Sequence, residues 1–173
     1  APFLKSNTEE TRLLPIYQKL TQGGVDIQWT WDAWLLKFEF VIADQSDDNF
    51  VSSAVGLEYT FFDISYTGID LGILVEGLYD NRDETKTAST LFENDIFVGT
   101  RLSWNNFYES ELLLGAIIDW ETGSIFSSIE YERRIGENIK FEVEAQYLTA
   151  KDTEPLAQFE HDSNLTLRLT RYF

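Results

Sequence analysis

Apolar residues recur at every second position through most of this chain. In "GVDIQWTW" they fall at Val25, Ile27, Trp29 and Trp31, with Asp26, Gln28 and Thr30 between them. After Asp32 and Ala33 the phase changes, and Leu36, Phe38, Phe40 and Ile42 alternate with Lys37, Glu39 and Val41. A period of two makes a strand with one apolar and one polar face, and a phase change over two or three residues is what a tight hairpin produces. The series continues through "VGLEYTF", "DLGILVEGLYD", "DIFVGTRLSW", "ELLLGAIIDW", "SIFSSIEYE", "IKFEVEAQY" and "NLTLRLTRYF". No helical periodicity competes with it over a useful length. The pattern predicts nine strands, or ten if the first residues supply one. Residues 1–23 are poorly patterned and read as one strand or a plug-like extension, with Pro15 counting against a central strand. Residues 24–173 are expected to form an all-β, antiparallel up-and-down barrel of about eight to ten strands.

The same alternation would serve a soluble barrel or sandwich with its apolar face turned inward. Two features favour a transmembrane β-barrel instead. Connections alternate in length: "WDA", "WNNFYES" and "RRIGEN" are short and "FFDISYTG" intermediate, while "ADQSDDN", "YDNRDETKTASTLFEN" and "TAKDTEPLAQFEHDS" are longer. "ETGS" breaks the rule. Outer-membrane barrels carry short turns on one side and longer loops on the other. Aromatic residues also collect at the short-turn end: Trp29, Trp31 and Trp34, then Tyr59, Phe61 and Phe62, then Trp104, Phe107 and Tyr108, and finally Tyr172 and Phe173. Aromatic rings favour the membrane interface, so a row of them at one level reads as a girdle. Tyr79, Trp120 and Tyr147 are expected to form a sparser row at the loop end.

Composition narrows the classes. The mean hydropathy of −0.23 looks soluble, but alternating faces cancel in any average. The chain has no cysteine, so disulfides and thiolate metal sites are excluded. No apolar run is long enough for a transmembrane helix. No basic–apolar–small leader opens the chain, so "APFLKS" reads as a mature N-terminus or an artificial boundary. A net charge of −17 argues against nucleic acid, whose phosphates require a basic footprint.

The last strand, "NLTLRLTRYF", alternates to the end and finishes in Phe, and a strand running to the final residue suggests a paired terminus. It resembles the terminal signal of Gram-negative outer-membrane β-barrel proteins. That resemblance implies recognition by the barrel-insertion machinery and a place in the bacterial outer membrane, in contact with lipid and lipopolysaccharide. The hairpin "DIQWTWDAWLLKFEF" with "GLEYTF" and "LTRYF" is similar to the C-terminal part of larger porin-like barrels, which implies other barrel chains or strands as partners. Nine strands would otherwise conflict with the even counts of bacterial single-chain barrels.

The face opposite the apolar one is acidic. Glu39, Glu58, Glu76, Glu111, Asp119, Glu130, Glu132, Glu142 and Glu144 are expected to line a lumen, with Lys37, Arg101, Lys140 and Arg168 as counter-charges. Carboxylates in excess over bases favour cations in a wet pore, whereas matched charges would fill a narrow barrel. The expected function is passive passage of small solutes with cation preference; a plugged, partner-binding barrel is the alternative. Asp44, Asp47 and Asp48 lack the turn glycine and distal glutamate of a calcium loop, so no metal site is assigned. His161, the single histidine, lies between Glu160 and Asp162, with Ser163 beyond. Neighbours in an extended segment point to opposite sides and nothing marks Ser163 as a nucleophile, so neither catalysis nor a cofactor is expected.

Overall fold

A computed structural model describes residues 3–7, 10–16, 18–45, 48–83, 85–87, 90, 93–150 and 162–173. Its strands are β1 (Phe3–Asn7), β2 (Glu10–Ile16), β3 (Leu20–Trp31), β4 (Trp34–Gln45), β5 (Asp48–Phe61), β6 (Ile69–Asp80), β7 (Asn94–Trp104), β8 (Ser110–Asp119), β9 (Ile125–Ile135), β10 (Ile139–Thr149) and β11 (Asn164–Arg171). One turn of 3-10 helix, Ile64–Tyr66, interrupts the series, and no α-helix occurs among the described residues. β3 to β11 form one nine-stranded antiparallel sheet in which every strand pairs with its neighbours in sequence. β1 and β2 form a separate two-stranded sheet. The main sheet therefore starts at Leu20, a few residues before the first clean alternation at Gly24.

Register puts the alternating residues on common faces. A continuous row runs Trp29, Leu36, Leu57, Val75, Val98 and Ala116 across six strands. The opposite face carries Glu39, Glu58, Glu76, Arg101, Glu111, Glu132 and Glu142. The apolar face is the more open one. Val55, Leu57 and Val75 are 56%, 41% and 46% exposed, whereas the side chains of Glu58 and Glu76 between them keep only 12% and 29%. A flat sheet would expose both faces alike, so this sheet curls with its polar face inside.

The rows also slant. The row starting at Trp31 and Trp34, beside the first turn, passes through Tyr59, Ile73, Thr100, Leu114, Ile129 and Ala145 to Leu165, at the far end of β11. Such stagger is what a sheet needs in order to wrap around an axis.

The expected closure is not reached. β11 and β3 are free edges of an open sheet. The reason is directional: β3 and β11 run the same way, so pairing them would break the antiparallel pattern. The terminal strand is accordingly paired on one side only, from Gln146–Asn164 to Ile139–Arg171, with the Tyr172 N–H donating to the Asn138 carbonyl at 2.8 Å.

One expected loop is also corrected. "ADQSDDN" is mostly strand: β4 runs to Gln45 and β5 starts at Asp48. Polar residues can extend a hairpin wherever both faces of it are solvated, because the backbone ladder does not depend on apolar side chains. The far end therefore has two short connections, at 46–47 and 120–124, and two long ones, so connection length alternates less than the composition implied.

Candidate functional site

The polar face is assembled from glycines, charges and one ring. Gly56, Gly72, Gly99 and Gly115 lie on it in adjacent strands and leave room for neighbouring side chains. The Phe97 ring lies across two of them: a Cβ on Gly99 would meet its Cζ at 2.7 Å, and one on Gly115 its Cε2 at 2.7 Å. Glu76 folds over Gly56 in the same manner, where a Cβ would come within 2.9 Å of the carboxylate. A ring covering strand glycines restores contact that the missing side chains forfeit. Register puts Phe97 on the polar face opposite Glu76, and the sequence signal for this joint is the recurrence of glycine at polar-face positions.

Around this joint the charges divide into two groups. In the first, Lys37 Nζ is 3.7 Å from Glu76, and Arg101 reaches Glu58 at 3.7 Å and Glu111 at 3.3 Å. The Arg101 Nε contact with Glu111 lacks hydrogen-bond alignment, so it is a charge contact only. In the second, Lys140 Nζ bridges Glu132 at 2.9 Å and Glu142 at 3.1 Å.

Register then places like charges opposite one another. Glu111, Glu132 and Glu142 form one row on β8, β9 and β10, and Glu130 faces Glu144 in the next. All five line a cavity of about 160 Å³, together with Arg168 and Thr166 of β11. Like charges directly opposite are destabilising, and anions withdrawn from water cost several kcal/mol each unless paired. Lys140 and Arg101 relieve the first row. Among the described residues Glu144 accepts only from Gln146 Nε2, at 3.0 Å, and neither Glu39 nor Glu130 has a cationic partner. The arrangement therefore suits a wet surface. Asp119 sits apart at the strand end, capping its own turn by accepting from the N–H groups of Glu121 and Thr122.

The aromatic residues cluster at the short-turn rim. Trp34 and Tyr59 are 4.5 Å apart between centroids, Tyr59 and Phe61 4.7 Å, Trp29 and Trp31 6.4 Å, and Phe107 and Tyr108 5.9 Å. Trp104 closes β7 beside Ile69 and Ser110, while Tyr172 and Phe173 follow β11 and are exposed. Trp120 lies at the opposite end, in the turn after β8, with Tyr79 and Tyr147 nearer that end on β6 and β10.

Backbone bonds stitch the rim turns together: Thr60 N–H to Ala33 O at 2.9 Å, Asn105 N–H to Gly68 O at 2.9 Å, and Arg134 N–H to Tyr108 O at 2.8 Å. Asp70 adds to this by accepting from Asp63 N–H and Asn105 Nδ2 at 2.8 and 2.9 Å. At the loop end, Lys86 and Thr85 hold the Asp83 carboxyl down to about 2.

Asp44 and Asp48 lie within strands, while Asp47, Glu160 and His161 fall outside the described residues. Among the described residues, no three acidic or histidine side chains converge on a metal-sized site. Comparison of the chain with protein-family models, curated proteins and solved structures returned no match.

Proposed function

We propose that the chain is the wall of a bacterial outer-membrane β-barrel that passes small solutes, with a preference for cations. The observation that carries this reading is the pairing of an outward apolar face with an inner face whose rows of carboxylates outnumber their basic partners. A soluble barrel would reverse these faces. Strands of 8 to 14 residues fit the roughly 9–11 that cross a bilayer on a tilt. Slanted rows and an aromatic rim support the same reading. Selectivity follows from charge: the Glu111–Glu132–Glu142 and Glu130–Glu144 rows raise local cation concentration and repel anions, more strongly at low salt.

The test is a bilayer recording of the refolded chain across a salt gradient. Discrete conductance with a cation-selective reversal potential is expected, and E142K/E144K should move that potential toward anion selectivity. An unchanged reversal potential in the variant would remove these glutamates from the pathway.

The open edges of β3 and β11 favour one second reading, a barrel wall completed by strands from a partner chain. Unpaired backbone cannot face lipid, so such pairing would be obligatory. In that case the chain alone is silent and conducts only when its partner is supplied.

A further inference from the structure

In the nine-stranded sheet only two basic residues point to the apolar side, Arg133 and Arg171, and both sit at the short-turn rim. Register fixes their faces: Arg133 is opposite Phe141, and Arg171 is opposite Ile139. They therefore flank β10 on the same face, about 10–12 Å apart given the spacing of neighbouring strands. Each guanidinium stacks on an aromatic ring, Arg133 over Tyr108 at 4.5 Å and Arg171 over Phe173 at 5.0 Å. Neither has a carboxylate partner among the described residues, although the chain carries 30 acidic residues. By contrast Arg134 and Lys140, their polar-face neighbours, are paired with Glu109 at 2.8 Å and Glu132 at 2.9 Å. Those pairs also neutralise two of the three carboxylates in the rim cleft that Arg133 helps to line, which holds about 340 Å³; Glu137 in the turn is the third.

Building on the reading above that this face meets a bilayer, we propose that Arg133 and Arg171 clamp the phosphodiesters of anionic phospholipids. Charge complementarity selects the ligand. Two planar guanidiniums, each over an aromatic ring and without a carboxylate partner among the described residues, suit phosphate oxygens. The exposed Leu169 and Leu167, with the half-buried Phe141 opposite Leu169, supply a lane for the acyl chains. Attraction of a basic side chain to an anionic bilayer surface corresponds to about fivefold in occupancy per arginine.

The refolded full chain would be inserted into phosphatidylcholine vesicles with and without phosphatidylglycerol, and retained lipids counted by native mass spectrometry. Wild type is expected to keep phosphatidylglycerol in excess of its share in the vesicle. R133Q/R171Q should lose that excess, and each single variant should lose about fivefold. The single variants carry the test if the double variant does not insert. R82Q, at the far end of the sheet, should retain the excess. Heat-modifiable gel mobility reports insertion independently. Insertion without phosphatidylglycerol excess overturns the clamp alone, as does equal loss in R82Q. Failure of wild type to insert into either vesicle overturns the clamp together with the membrane reading beneath it.

Discussion

At the residue scale, the polar face is shaped by what its glycines admit. Phe97 occupies the space above Gly99 and Gly115, so that ring and glycines are a single unit. Substituting G115A puts a methyl group 2.7 Å from the ring edge and forces the ring to move. Overpacking of this kind typically costs about 1–3 kcal/mol. F97A removes the obstruction while losing the ring's contacts, so the F97A/G115A pair should be less destabilised than the two single changes added together. Urea midpoints followed by tryptophan fluorescence measure this coupling, and strict additivity would show that the ring and Gly115 do not interact. Little of this was legible in the sequence. Alternation assigns a residue to a face, but which side chain leans over which neighbour depends on cross-strand register, and one residue of slip would place other partners together.

At the element scale, the sequence was informative wherever alternation was clean. β3, β4, β10 and β11 stand with the faces their patterns imply, because a period of two puts every second side chain on the same face of a strand. It was misleading at 43–49, where polar composition suggested a loop although the β4–β5 hairpin continues through most of it. The rim itself was legible as a collection of aromatics, since the strand directions alone bring Trp31, Trp34 and Trp104 to one end. Its hydrogen-bonded seams through Asp70, Asn105 and Gly68 were not legible, because they join turns distant in sequence. If this rim lies at a membrane interface, its tryptophans contact lipid near the headgroups. Of the five tryptophans four belong to the rim, and Trp120 stands at the other end. Brominated phosphatidylcholines should therefore quench the emission more with bromine placed near the headgroup than near the chain terminus. Stronger quenching by deep bromine, or none by either lipid, would contradict this placement.

At the scale of the whole molecule, strand parity decides how the sheet can be completed. Nine antiparallel strands leave β3 and β11 running in the same direction, and the apolar and polar faces continue to both edges. A second copy in the same membrane orientation would again bring parallel edges together, so duplication does not solve the problem. An odd number of further strands does. β2 has the required direction if it folds back on β3, because only residues 17–19 separate Ile16 from Leu20. It would then lie antiparallel to both edges and make ten, an even count. The absence of cysteine makes the test clean. In vesicles, Leu167→Cys combined in turn with cysteines at positions 11–16 should yield a disulfide, since paired strands bring Cα atoms within bonding range. Leu167→Cys with Ile27→Cys should not. A β3–β11 disulfide would mean that the edges meet in parallel, against the parity argument. No disulfide to β2 would overturn closure by the chain's own strand and leave an external partner as the source of the missing strands. Conductance separates these cases, because a sheet with two edges open to lipid cannot hold a water-filled path across the bilayer.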